Sequence, residues 1–343
     1  MKNLLPWYDR QHRKLPWRAA PGQLADPYRV WLSEIMLQQT VVKTVIPYYH
    51  YFLQQWPTVA ALAKADLDQV LHAWQGLGYY ARARNLHKCA RVVADEFGGV
   101  FPDRESDLRK LPGIGPYTAA AVAAIAFGQK ASPVDGNIER VISRLFAVRE
   151  PLPGVKPKLR ELAASLTPAR RAGDHAQALM DLGATICLPR APLCERCPLA
   201  KTCEGRAQGI AADLPQRAKT VARPTKYGVA FCLFDHEGRL FFRRRPEKGL
   251  LGGMMEVPST PWTENQWPPG DVARHAPVQT EWRSLPGTIV HVFTHFRLEL
   301  QVQSGTGGYK TKNGEVWQKI DALGDLALPT VMKKVLRHVL PSV

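Results

Sequence analysis

Four of the six cysteines fall within seventeen residues: Cys187, Cys194, Cys197 and Cys203, spaced C-x6-C-x2-C-x5-C. Soft thiolates packed this closely suit one metal centre, either a [4Fe–4S] cluster or tetrahedral zinc. A zinc ribbon usually carries two C-x2-C knuckles, and here only Cys194/Cys197 has that spacing. Upstream, Pro112-Gly-Ile-Gly115 places Gly113 and Gly115 where a backbone can turn sharply and bare its N–H groups. With Tyr117 opening the next helix, that turn is a candidate anion site. Two carboxylates complete the set. Asp135, in Ser132-Pro-Val-Asp-Gly-Asn137, precedes an amphipathic pattern and reads on its own as a helix N-cap. Glu34 sits in the apolar stretch Val30–Thr40, where it either faces solvent or is desolvated with a raised pKa.

The elements that must position these groups change character along the chain. From Asp26 to about Glu204 the pattern is helical, with apolar residues three and four apart over Ala60–Trp74, Arg82–Glu96 and Tyr117–Phe127. Around residue 227 it becomes strand-like. Tyr227–Phe234 and Leu240–Arg243 flank the turn Asp235-His-Glu-Gly238, with further strands expected at Thr288–Phe293 and Arg297–Val302. The domain expectation is therefore a helical domain over 1–204, a linker over 205–224 and an α+β domain over 225–343.

The formal net charge is +16, split +9 over residues 1–216 and +7 over 217–343, so both halves can face one polyanion. No apolar run reaches the roughly 18 residues of a membrane span, and no signal-peptide pattern opens the chain. A cytoplasmic, nucleoid-associated monomer is expected, with Cys89 and Cys232 as ordinary buried thiols.

Taken together, the hairpin, Asp135 and the cysteines resemble the helix-hairpin-helix DNA glycosylases that carry an iron–sulfur cluster. Residues beyond 220 narrow the resemblance to the MutY-type adenine DNA glycosylases. The fold it implies is a mainly α helix-hairpin-helix glycosylase domain with a [4Fe–4S] loop, followed by an α+β Nudix-like domain. The resemblance makes Glu34 the general acid that protonates adenine at N7. It makes Asp135 the carboxylate that stabilises an oxocarbenium-like transition state at C1′, with Asn137 orienting the site. Relatives that also cut the backbone place a Schiff-base lysine directly after the hairpin. Tyr117 stands there instead, and a phenol cannot form an imine, so hydrolysis alone is expected.

Extruding a base requires side chains to fill the gap. The loops Gln38-Gln39-Thr40 and Leu77-Gly-Tyr-Tyr80 look suited to it, and Gln39 and Tyr79 match the family's intercalating positions. Trp17, Arg18 and Gln177 match residues around the extruded adenine, and Arg190 in the cysteine loop can face a phosphate. In the second domain, Gly249–Pro258 matches the Nudix-like loop, without the acidic helix that binds metal in Nudix hydrolases. His291-Val-Phe-Thr-His295 aligns with the 8-oxoguanine-sensing loop: Phe293 wedges, while Thr294 and His295 offer polar contacts. Threonine replaces the serine common in bacterial members.

The implied substrate is double-stranded DNA holding adenine opposite 8-oxoguanine or guanine. Three rivals remain at this point. A bifunctional glycosylase/lyase for oxidised pyrimidines is opposed by Tyr117, and a non-catalytic damage binder by the two carboxylates. A redox carrier leaves the hairpin unexplained. A clamp-type partner is not readable from the residues.

Overall fold

Apolar helices surround the residues of interest in the first part of the chain. The computed structural model describes residues 1–218, 222–246, 249–326 and 328–340. Residues 219–221 of the expected linker, and 247, 248, 327 and 341–343 of the expected second domain, lie outside the described residues. The helices run α1 (Leu4–Gln11), α2 (Pro27–Leu37), α3 (Val42–Gln55), α4 (Val59–Lys64), α5 (Leu67–Ala73), α6 (Ala81–Glu96), α7 (Glu105–Leu108), α8 (Pro116–Phe127), α9 (Gly136–Leu145), α10 (Lys156–Leu166), α11 (Ala172–Thr185) and α12 (Glu204–Ala207). The single helix expected over Ala60–Trp74 is two. Asp66 interrupts it, because its carboxylate accepts the Asp68 N–H at 2.7 Å and caps α5 afresh.

Contacts group the chain into two units: residues 1–65 with 84–219, and residues 66–83 with 220–343. In the first, α8 is buried on all sides from Thr118 to Ala126, as befits a helix apolar all round. Helix α11 lies close against both α8 and α9. A Cβ on Gly173 would stand 2.5 Å from the Ala124 carbonyl oxygen, and one on Gly183 2.6 Å from Asn137 Cβ, so only glycine permits either approach. Those contacts fix the helix that carries Gln177 and Asp181.

The second unit is built on a mixed sheet. Its central pair is parallel, β1 (Thr225–Phe234) with β6 (Arg297–Thr306). Antiparallel to β1 runs β2 (Leu240–Arg244), which also pairs β3 (Met255–Glu256) and β7 (Glu315–Gln318). On the other side, β4 (Arg283–Ser284) and β5 (Ile289–Val292) pair β6. The expected turn joins β1 to β2: Asp235 accepts from the Glu237 and Arg239 N–H groups, and Gly238 takes φ 74°. A short α13 (Pro269–Val272) precedes β4, and α14 (Thr330–Val339) presents Val331, Met332, Val335 and Leu336 to the sheet core. Cys89 and Cys232 are fully buried, and burial pushes both thiols up to about 12. Among the described residues no helix is long and apolar enough to cross a membrane.

Candidate active site

Glu34 reaches its place because α2 starts and stops cleanly. Asp26 accepts the Arg29 N–H at 2.9 Å, Pro27 opens the first turn, and residues Val30 to Met36 are all buried. The carboxyl group is therefore withdrawn from solvent, beside Tyr117 and within reach of the Asp135 and Arg18 charges. Burial pushes its pKa up to about 7, and the nearby Asp135 charge adds to this. A hydrogen bond with Tyr117 and the Arg18 charge oppose the rise. A glutamic acid near neutrality can hold its proton and still give it away.

Asp135 is both a helix cap and a site carboxylate. Its Oδ1 accepts the Ile138 N–H at 2.8 Å at the start of α9, and its Oδ2 accepts Asn137 Nδ2 at 2.9 Å. Burial raises its pKa, while these bonds and Arg140 pull the other way and favour the charged form. Asn137 has a fixed orientation: Arg140 donates to its Oδ1 at 2.9 Å, leaving the amide Nδ2 to serve Asp135.

Both carboxylates line one cavity of about 750 Å³, a size suited to a small organic group. Tyr117, Trp17, Arg18, Gln177, Gln38, Gln39, Thr40 and Asn137 share its walls. Trp17 is buried edge-on against Tyr49, ring centroids 5.3 Å apart, and Gln177 is buried on α11. Gln38 donates to Thr118 Oγ1 at 3.4 Å, and Thr40 Oγ1 donates to the Gln38 carbonyl at 3.4 Å. Gln39 is exposed in the left-handed region, φ 58°. At the hairpin, Gly113 takes φ 75° with Asn85 packed where its Cβ would be, while a Cβ on Gly115 would have open space among the described residues. Gly115 is the N-cap of α8, whose first-turn N–H groups lack intrahelical partners.

The four cysteines of the cluster motif ring a second, small cavity together with Arg144 and Leu193. Among the described residues no three His, Cys, Asp or Glu side chains gather tightly enough for a single ion. Arg190 is exposed in the loop between Cys187 and Cys194.

Comparison with known proteins gives this geometry a family. The model described as HhH-GPD superfamily base excision DNA repair protein matches residues 32–166, and a NUDIX domain model matches 229–338. An adenine DNA glycosylase from Homo sapiens is 36% identical over 98% of this chain and 73% of its own length. The chain belongs to the adenine DNA glycosylase family. Another relative of that name, from Mycolicibacterium smegmatis, is 44% identical over 64% of this chain and 72% of its own. The solved structure of a thermostable thymine-DNA glycosylase is 33% identical, covers 60% of this chain and 94% of its own, and superposes with TM-score 0.53. An endonuclease III–DNA complex, 21% identical with TM-score 0.50, shares the fold.

For a member of this family, several residues that the sequence did not single out hold the site together. Asp181, fully buried on α11, takes Arg18 through both oxygens at 2.7 and 2.9 Å and Arg13 at 2.5 Å. Burial works against its ionisation, but the two guanidinium groups hold it below the usual carboxylate range. Arg140 donates to Asn137, to the Gly183 carbonyl at 2.6 Å and to the Cys187 carbonyl at 2.7 Å. Arg144, buried and four residues on, donates to Cys187 Sγ at 3.3 Å and to the carbonyls of Leu188, Pro189 and Leu214. The only available signal was their i, i+4 spacing on α9, which is also that of an ordinary charged helix face.

In the second unit, Leu77 is buried, so the loop Leu77–Tyr80 offers Tyr79 as its exposed side chain, at φ 48°. Trp74 Nε1 and Arg82 both donate to the Gly78 carbonyl and stiffen that loop. Phe293 to Phe296 form the tip of the β5–β6 hairpin, closed by the Phe293 N–H donating to the Phe296 carbonyl at 2.9 Å. Phe293 is half-buried among Trp262, His291 and Phe296, and Thr294 and His295 are exposed.

The buried acid has a cost that can be measured. A carboxyl with its folded-state pKa raised to about 7 favours folding below its unfolded value of about 4.5, and that contribution is lost as pH rises through 7. Above pH 7 the cost is on the order of 3 kcal/mol. Thermal unfolding should therefore show Glu34→Gln more stable than the wild type above pH 7, with the two converging below pH 5.

Proposed function

We infer that the protein excises adenine mispaired with 8-oxoguanine, and with guanine, from duplex DNA by hydrolysis, leaving an abasic site. The observation that carries this is the pairing in one cavity of a buried Glu34 near neutral pKa with a hydrogen-bonded Asp135, with Tyr117 beside them. The hairpin at Gly113 and Gly115 takes a backbone phosphate, and Gln39 and Tyr79 fill the stack once the adenine leaves it. Trp17, Arg18 and Gln177 hold the base. Glu34 gives its proton to adenine N7 as the C1′–N9 bond breaks, and the bonding electrons leave with the base. The Asp135 charge stabilises the sugar cation. Water then adds at C1′ and returns a proton to Glu34. No imine forms, since a phenol stands where an amine would be required.

The four thiols suit a [4Fe–4S] cluster. All four line one small cavity, and their single C-x2-C pair suits a multi-iron cage better than a zinc ribbon, which usually carries two such knuckles. Such a cluster supplies a structural cross-link, which would fix the loop bearing Arg190 for contact with DNA. Phe293, Thr294 and His295, on an exposed hairpin tip, are the residues proposed to read the opposite base.

The experiment compares single-turnover adenine release opposite 8-oxoguanine, guanine and thymine, scoring strand cleavage separately. Fastest release opposite 8-oxoguanine, with strands broken only after alkali, is expected, from protein carrying about four iron and four sulfide per chain. Equal rates opposite all three bases would remove the lesion-reading role. A borohydride-trapped protein–DNA adduct would remove the monofunctional one.

A further inference from the structure

Residues 66–83 are separated from the sheet by more than 130 positions of sequence, yet they group with it rather than with the helices on either side. Three side-chain ties to the sheet unit are spaced along the segment. At its start, Arg244 at the end of β2 grips Asp68 on α5 with a two-pronged contact, Nη1 to Oδ1 at 3.1 Å and Nη2 to Oδ2 at 3.0 Å. Arg244 is itself braced, because Nη1 also donates to the Gly253 carbonyl and its backbone N–H to that of Gly314. In the middle, Gln75 Nε2 donates to the Leu326 carbonyl at 3.0 Å. At the tip, the Tyr79 hydroxyl lies 3.1 Å from Thr294 Oγ1.

The tip contact joins two exposed groups, and a single bond of that kind would hold neither in place. Its partners are aligned from further back. The Asp68–Arg244 fork sets the start of α5, and Gln75 sets the point where α5 gives way to the loop. The loop then has little freedom, with Leu77 buried, the Gly78 carbonyl engaged twice and Tyr79 in the left-handed region. A planar two-pronged contact fixes direction as well as distance, which a single donor does not.

We propose that Asp68, Arg244 and Gln75 are positioning residues for discrimination of the opposite base: they clasp the Tyr79 loop to the sheet, so that Tyr79 meets Thr294 in register. The proposal rests on the lesion-reading role of the Thr294 hairpin. None of the three is among the described residues that line the adenine cavity, so they act on the ratio of rates between substrates rather than on the chemistry.

The test measures single-turnover adenine release opposite 8-oxoguanine and opposite guanine for the full-length wild type, Asp68→Asn, Asp68→Glu, Gln75→Ala and the Asp68→Asn/Gln75→Ala double variant. Asp68→Asn is expected to lower the 8-oxoguanine-to-guanine ratio by up to about fivefold, the range of an exposed ion pair. Gln75→Ala should lower it by about two- to tenfold, the range of one hydrogen bond. The double variant should fall below either, and Asp68→Glu, which keeps the carboxylate, should return most of the ratio. Thermal unfolding midpoints identify any variant whose loss is one of folding. Two outcomes overturn the proposal: a wild-type ratio that all variants keep, or equal loss of rate on both substrates. A wild type without any preference would instead overturn the lesion-reading role itself.

Discussion

Glu34→Gln is expected to lower the single-turnover rate of adenine release by about 10²–10⁴-fold, the usual contribution of a positioned general acid. Glutamine has nearly the same shape, and α2 is held by its own cap and its buried face, so the cavity should keep its form. What disappears is the transferable proton. DNA binding, measured on an uncleavable duplex, should change little, because Glu34 is buried and contributes no surface charge. The same variant should gain stability above pH 7. Loss of rate with gain of stability is the signature of a residue kept buried for its chemistry.

Asp135→Asn is the second large effect, with an expected loss of about 10²–10³-fold in the same assay, the scale for removing one group that stabilises transition-state charge. Here the sequence left two readings, helix cap or catalytic carboxylate; the structure shows the cap and sets the same carboxylate in the cavity wall with Glu34, where the proposed role lies. The substitution separates them. Asparagine caps helices about as well as aspartate, so the bond from the Ile138 N–H survives and α9 should start as before. Asn137 Nδ2 donates to the other oxygen, Oδ2, which an amide NH2 replaces, so that one bond goes together with the charge. A near-normal unfolding midpoint with a collapsed rate would assign the role to charge, whereas Asp135→Ala should lose the cap as well, at about 1 kcal/mol.

Much of this was legible because local rules and spacing agree. The hairpin glycines, the Asp135 cap, the cysteine intervals and the β1–β2 turn each follow from short-range stereochemistry, and the structure places them accordingly. The break at Asp66 was missed because apolar periodicity runs straight through it, while a single carboxylate accepting the Asp68 N–H decides the matter. Asp181, Arg13, Arg140 and Arg144 were missed for a different reason. Apart from the contacts of Arg140 within α9, the partners named for them lie more than forty residues away, and a charged side chain shows no sign in sequence of being turned inward. Leu77 was read with its whole loop as DNA-facing, and the fold buries it while leaving Tyr79 outside. The grouping of residues 66–83 with the sheet has no sequence signature, and the side-chain ties along it join residues far apart in the chain.

The central claim is that Glu34 works as a neutral acid beside a charged Asp135. The most direct test is the pH dependence of single-turnover adenine release, at saturating protein, from about pH 5 to about pH 9. The rate should fall as Glu34 loses its proton near pH 7, tending towards a tenfold drop per unit, and the residual rate of Glu34→Gln should lack that limb. A wild-type rate that stays level from pH 7 to pH 9, or a Glu34→Gln protein that keeps the same decline, would contradict it.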